Sequence, residues 1–346
     1  MRYSLRLQPS DTATIETLTA AVRRADDLGF GAVWSSEAGH DPFVTLPLVA
    51  AASPRLKIGT GIAVAFARSP FATAQVAWDL QRLSRGRLRL GLGPQVKPHI
   101  ERRYGMRWPG GLGALREYVA CCRAVWSSFE SGERPAFRGE HYQYTLLNPE
   151  FNPGPLPEAE AHVPIWLAAV GPVAARMAGE IGDGLHIHAF HTESYLREVL
   201  VPAYEAGREA QGRASGGIES ACPVFSGIVH DEQQERLLRD AMRKYIAFYA
   251  STPAYAPVLA HAGCPEIHAP LRVMSREGRW DDMPALVSDE IVDQFAVFDA
   301  PRELGRRLKA KYEGILSEIA IYKEGTQFAA EADWPELLEG LGCAPA

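Results

Sequence analysis

Several groups of residues carry side chains that could do chemistry. Glu37, His40 and Asp41 fall together at and just past an apolar run, GAVWSSE (31–37). They offer carboxylates and an imidazole whose ordinary pKa suits proton transfer near neutrality; the rival reading of His40 is a histidine that only orders its loop. HIHAFH (186–191) supplies His186, His188 and His191. On a strand, 186 and 188 share a face. A metal site would need acidic partners, and none is evident, so no metal is expected. RLRLGLGPQV (87–96) ends in Gly91, Gly93 and Pro94. It fails as a dinucleotide fingerprint, because Val96 stands where a third glycine is needed and Pro94 lacks an amide proton. Residues 82–107 hold eight basic side chains (Arg82, Arg85, Arg87, Arg89, Lys97, Arg102, Arg103, Arg107) against one acid, Glu101. Arg87 and Arg89 alternate with strand leucines and fit structural ion pairs. Lys97 to Arg103 is the better place for an anion.

The elements that would position these residues alternate. Strands are expected at 3–8, 31–37, 56–66, 87–93, 164–170, 184–190, 219–230 and 316–322, from short apolar runs with period two or continuous burial. Helical stretches separate them. Ile15, Leu18, Val22, Ala25 and Leu28 form an apolar stripe, with Asp11 or Thr12 as cap and Gly29 as stop. A second helix is expected over 43–52. Ser69-Pro70 opens a third with proline at its first position, a long helix covers 112–130, and the last strand has no helix after it. FRGEHYQYTLL (137–147) reads as a hairpin followed by a proline-rich loop. Insertions near 133–163 and 251–298 are expected to carry function and to set substrate size.

Eight strand–helix units suggest a closed parallel (β/α)8 barrel of the TIM type, an α/β fold, with a doubly wound open sheet as the alternative. The barrel is favoured because no glycine fingerprint follows the first strand. Glycines recur instead at the ends of strands three, four and five (Gly59, Gly61, Gly91, Gly93, Gly171). A barrel gathers those ends on one face, where backbone can approach a flat ligand. With no repeat or linker, one domain spanning 1–346 is the simpler organisation. A net charge of −6 argues against nucleic-acid or membrane-surface binding, and 47% hydrophobic residues support a large core. Without a leader or a long apolar run, a soluble, cytoplasmic protein is expected. Five cysteines (121, 122, 222, 264, 343) without CxxC spacing indicate neither a disulfide framework nor zinc.

In the order ADDLGFGAVWSSE with HDPF, KIGTGIAVAFARSPFATAQVAWDLQRLSRGRLRLGLGPQVKPHIERRYGM, FRGEHYQY and PIWLAAVGPVAARMAGEIGDGLHIHAFH, the chain resembles the bacterial luciferase-like oxidoreductases, in the branch that uses the 5-deazaflavin coenzyme F420. The resemblance runs to about residue 322. It implies the same barrel, a non-proline cis peptide in a bulge at Gly61, Ile62, Ala63 and Val64 against the coenzyme ring, and contact of Glu37 with its head group. It places Gly91, Gly93, Pro94, Gln95 and His99 beside the coenzyme's polar chain. It assigns Ala168, Ala169, Val170, Gly171 and Val173 to its phosphate, at a helix N-terminus. His188 and His191 match substrate-facing positions. Ala38 and Val96 stand where the sugar-phosphate dehydrogenases of the family carry a histidine and a glutamate, which argues against that activity. The expected reaction is hydride transfer between F420 and a ketone, alcohol, imine or enone, with His40 as proton donor. The alternatives are an FMN monooxygenase using oxygen, or a non-enzymatic flavin-binding barrel. The partner is a small-molecule substrate, and a homodimer is expected by analogy.

Overall fold

Local signals start the helices as the sequence requires. In the computed structural model, which describes residues 1–7, 14–213 and 218–343, the first helix runs Ile15–Asp27. Its cap is Thr14, whose hydroxyl accepts from the Thr17 amide while the Thr17 hydroxyl accepts from the Thr14 amide. Asp11 and Thr12, the expected caps, lie outside the described residues. Ser69 caps the helix Pro70–Leu83 through the Ala72 amide. The helix expected from Phe43 begins only at Leu46, because Phe43 is drawn into a turn by its amide bond to Asp41.

Eight parallel strands form the barrel: β1 Arg2–Leu7, β2 Ala32–Ser35, β3 Lys57–Thr60, β4 Leu88–Gly93, β5 Ile165–Ala169, β6 Gly184–Ile187, β7 Ser220–Val224 and β8 Glu318–Ile321. The ladder runs β3-β2-β1-β8-β7-β6-β5-β4, and the Ile58↔Leu88 pairing of β3 with β4 closes it. The open-sheet alternative is thereby set aside. The third strand is shorter than the expected 56–66. It stops at Thr60; the Gly61–Ile62 peptide is cis, and Ala63–Val64 then re-pairs with Leu92 and Gly93 of β4.

The barrel interior is filled by rings rather than aliphatic layers. Trp34 and Trp166 lie 5.3 Å apart, with the His186 ring 4.5 Å from Trp34. These rings demand small partners. A Cβ on Gly59 would come within 2.4 Å of Trp34, and one on Gly91 within 1.9 Å of the Thr60 carbonyl. Gly59 and Gly91 therefore serve interior packing, not ligand approach. Below the rings, the fully buried Glu318 accepts from the Trp34 indole and pairs with Arg89 at 3.3 Å and Arg2 at 3.7 Å. Arg87 bonds three backbone carbonyls, of Ser84, Leu56 and Ala50.

The hairpin Phe137–Arg138 with Gln143–Tyr144 forms as expected, gripped by Glu117, which accepts from the amides of Glu140, His141 and Tyr142. The strand expected at 219–230 is divided, and two further elements were not expected. The second half, Ser226–Ile228, leaves the barrel and pairs with the unexpected strand Val297–Asp299 in a two-stranded parallel sheet that anchors the 251–298 insertion. A final helix, Asp333–Leu341, packs against Pro301–Tyr312 through Gly340 and Gly305; its stripe of Leu337, Leu338 and Leu341 lies beyond the span of the family resemblance. Among the described residues no helix is long and apolar enough to cross a membrane, and no group of three potential metal ligands forms. All five cysteines are free.

Candidate active site

The C-terminal strand ends converge on one cavity of about 1410 Å³. Its wall takes Arg6 from β1, Ser36 and Glu37 past β2, Gly61, Ile62 and Val64 past β3, and the Gly93–Val96 turn with His99 past β4. Ala168 to Gly171 past β5, His186 and His188 on β6, and Tyr322 past β8 complete the ring. This is the face on which barrel enzymes build their sites.

Glu37 braces one side. Its Oε2 accepts from the Val64 amide at 2.7 Å and from Arg68 at 2.6 Å, and its Oε1 from the Tyr104 hydroxyl at 3.0 Å. Arg68 also pairs with Asp41 at 2.8 Å. Burial, with the Glu37 charge and hydrogen bond, pushes the Tyr104 hydroxyl up to about 12. Glu37 thus holds the bulge after β3 in place and has few lone pairs left for proton chemistry.

Three stretches of backbone line the cavity. At the cis peptide, the Gly61 carbonyl accepts from Arg6 at 2.6 Å and from Ser36 at 3.0 Å, and the Ile62 carbonyl accepts from the Glu37 amide at 3.3 Å. After β4, Gly93 leads to Gln95, a non-glycine residue held at φ +60°, a strained conformation that clusters at functional sites. After β5, Gly171 stands at the N-cap of the helix Pro172–Ile181 with no side-chain cap and open space where a Cβ would be. An uncapped helix start with exposed amides favours an anion.

Opposite these stretches lies a polar set. The Phe190 amide donates to His188 Nδ1 at 3.1 Å, which puts the proton of the neutral ring on Nε2. His188 Nε2 has no protein partner and the ring lines the cavity. Burial, then the charges of His191 and Arg6, push its pKa down to about 3, so it is neutral at physiological pH. Its ring lies 4.4 Å from Tyr249 and 5.0 Å from Tyr255. The Tyr249 and Tyr322 hydroxyls share a 2.9 Å hydrogen bond, and burial raises both pKa values.

The structure therefore brings Glu37, Gly61, Ile62, Val64, Gly93, Pro94, Gln95, His99, Ala168, Ala169, Val170, Gly171 and His188 to one cavity. It does not bring five others. Ala63 is fully buried beside Leu92, and Gly91 is closed off by Thr60 and His186. Val173 points outward and is 72% exposed. His191 is sealed in the core: its Nδ1 donates to the His188 carbonyl at 2.8 Å and its Nε2 accepts from Tyr312 at 3.2 Å. His40 is exposed and does not line the cavity, because the chain turns away at Asp41 toward Arg68. A proton donor must reach the substrate, so His40 is withdrawn from that role and His191 from substrate contact. The 133–163 insertion lies on the outer wall and lines none of the cavity, whereas 251–298 contributes Thr252, Ala254 and Tyr255. Of the basic cluster, Arg87 and Arg89 are structural and Lys97 pairs with Glu101; Arg103 reaches the cavity rim and donates to the Ala38 carbonyl. Sequence reasoning missed Arg6, Tyr249 and Tyr322. An arginine next to the C-terminal end of the first strand was the available signal for Arg6. Nothing local marks Tyr249 near the end of its helix, Glu232–Ala250.

Comparison with known proteins follows the same lines. The chain is 40% identical over 291 residues to an uncharacterized protein of Mycobacterium tuberculosis, covering 84% of this chain and 85% of that one. It is 29% identical over 290 residues to a putative coenzyme F420-dependent oxidoreductase of the same organism, covering 80% and 82%. Among solved structures, the coenzyme F420-dependent tetrahydromethanopterin reductase of Methanopyrus kandleri superposes with a TM-score of 0.76 over 97% of this chain and 96% of that one; at 19% identity this is likeness of fold alone. The model of the luciferase-like monooxygenase family matches residues 3–318. The chain is a member of the luciferase-like monooxygenase family, within which its relatives include F420-dependent oxidoreductases.

Proposed function

We propose that this protein is an oxidoreductase that binds coenzyme F420 and transfers a hydride between it and a small organic substrate. The observation that carries the reading is the backbone cradle: Gly61–Ile62, Gly93–Gln95 and the uncapped start of Pro172–Ile181 face one cavity. A flat ring with an anionic tail fits such a surface, because bare backbone allows close approach and the helix start favours a phosphate. When bound, the deazaflavin supplies the hydride. The chain's own residues position and protonate. Glu37 fixes the bulge under the ring through the Val64 amide. His188, neutral with its proton on Nε2, donates a hydrogen bond that polarises a substrate carbonyl. As hydride and its electron pair reach carbon, the oxygen gains charge, and the Tyr249 hydroxyl donates the balancing proton, with Tyr322 bonded behind it.

A second reading, a monooxygenase using reduced FMN and oxygen, is supported by the description of the family itself. The deciding experiment is fluorescence titration of the apoprotein with F420 and with FMN. Tight F420 binding with weak FMN binding is expected. FMN binding alone overturns the proposal in favour of the monooxygenase, and binding of neither leaves a non-enzymatic barrel.

A further inference from the structure

Arg6 lines the cavity; the other arginines among its described lining residues, Arg24 and Arg103, are engaged with Glu331 and the Ala38 carbonyl. Arg6 Nη2 is spent on the Gly61 carbonyl and Ser36. Among the described residues no carboxylate lies within 4 Å of its guanidinium, although 24 arginine–carboxylate pairs of this kind occur elsewhere. The nearby carboxylates are committed. Glu318 is held by Arg89, Arg2 and the Trp34 indole, and Glu37 by Arg68, Tyr104 and the Val64 amide. The groups that act on Arg6 are Cys222, Tyr249, Tyr322, the neutral rings of His186 and His188, and the Glu318 carboxylate. Of these only Glu318 carries negative charge at neutral pH, and it lies beyond ion-pair contact with Arg6 and is shared by Arg89 and Arg2. An arginine stays protonated even where burial opposes it. A cation enclosed in this way without a counter-charge in contact is costly, so the site is built for an anion that arrives with the ligand.

The surroundings define the rest of that ligand. Beside Arg6 the wall is aromatic: Phe248, Tyr249 and Tyr255 line the cavity next to His188. The phosphate-type subsite at Gly171 is a separate feature at the other wall, on β5. We infer that the substrate is an organic carboxylate with an apolar or aromatic body, whose carboxylate pairs with the free edge of the Arg6 guanidinium while its body lies against Tyr249 and Tyr255. The inference deepens the oxidoreductase reading by naming its substrate class and rests on it only for what happens after binding.

The test uses the apoprotein with benzoate and its neutral isostere benzamide, followed by calorimetry at low salt. Wild type is expected to bind benzoate at least tenfold more tightly than benzamide. Arg6→Gln should abolish that preference, leaving benzamide and F420 affinities within about twofold. Arg6→Lys keeps the charge without the planar fork and should retain part of the preference; it also provides the reading if the glutamine variant does not fold. Gly171→Asp should leave the preference intact. Equal binding of benzoate and benzamide by wild type overturns the inference. So does a preference lost in Gly171→Asp but kept in Arg6→Gln, and so does a fall in F420 affinity matching the loss of benzoate, which would make Arg6 a coenzyme ligand. A preference that persists where wild type binds no F420 leaves the anion site standing and fails the coenzyme reading alone.

Discussion

His186 and His188 sit two residues apart on one face of β6, yet they occupy different chemistry. His186 is sealed between Trp34 and Trp166, its Nε2 beside the Thr60 carbonyl without a well-formed hydrogen bond. His188 has one nitrogen fixed by a backbone amide and the other open to the cavity. The two arginines divide in the same way. Arg89 lies in the lower layer, stacked 4.8 Å over Trp166 and paired with Glu318, while Arg6 in the upper layer has no acid. In the lower layer the charges are paired, a core that happens to be polar, although the His186 Nε2 lacks a hydrogen-bond partner. The upper layer is incomplete, and its missing parts describe a ligand.

The contrast can be broken at either layer. The largest effect is expected from Glu318→Ala, which strands Arg89 and frees the Trp34 indole; losing one partner of a buried pair costs about 3–5 kcal/mol. Urea melts should show it, and a loss under about 1 kcal/mol would mean that the lower layer does not depend on its ion pair. In the upper layer, Tyr249→Phe should slow single-turnover hydride transfer by at least about 10²-fold with unchanged F420 affinity. Wild-type rates in that variant would remove Tyr249 as the proton source.

Acid sharpens the comparison further. The pKa of His186 is held down to about 3 in the fold, by burial first and then by Arg6 and Arg89. The unfolded chain takes up a proton near pH 6.5, so this histidine's contribution to stability is present above that value and is lost as pH falls toward 3. The slope is about 1.4 kcal/mol per pH unit. His188 and His191 add terms of the same sign. His186→Phe should flatten the stability profile between pH 6 and 4 by about one histidine's worth; an unchanged slope would show that His186 titrates normally.

Two smaller effects lie at the rim. Gly171→Asp supplies a side-chain helix cap, worth only about a few tenths of a kcal/mol over glycine, while its carboxylate repels an anion and should weaken F420 binding about fivefold. If both quantities stay at wild-type values, that helix start is not the phosphate subsite. His40→Ala should alter hydride transfer by less than about twofold, and a larger loss would return His40 to the mechanism.

What could be read in the sequence was what neighbours in the chain decide. Ser69-Pro70, the 137–147 hairpin and the eight strands are set within a few residues of themselves, whereas the bulge at Gly61 and Ile62 was expected only from the family resemblance and is held by Glu37 and Arg6. The cavity needed distant partners. Arg6 matters because Glu318 and Glu37 are both engaged elsewhere, which no window around residue 6 reveals. His40 looked catalytic because it followed Glu37, but the turn at Asp41 sends it outward. His191 matched a second substrate-facing position of the family, and its own two ring bonds bury it instead. Gly91 looked like part of a ligand loop and is fixed by the width of its barrel neighbours.

The side sheet made by Ser226–Ile228 and Val297–Asp299 clasps both ends of a long excursion that delivers Tyr249 and Tyr255 to the cavity. Because its ends meet next to β7, changing the excursion's length alters closure entropy only slowly. An engineer can therefore exchange this segment as a cassette and reshape one side of the cavity, while the wall made by β3 to β5 is left in place.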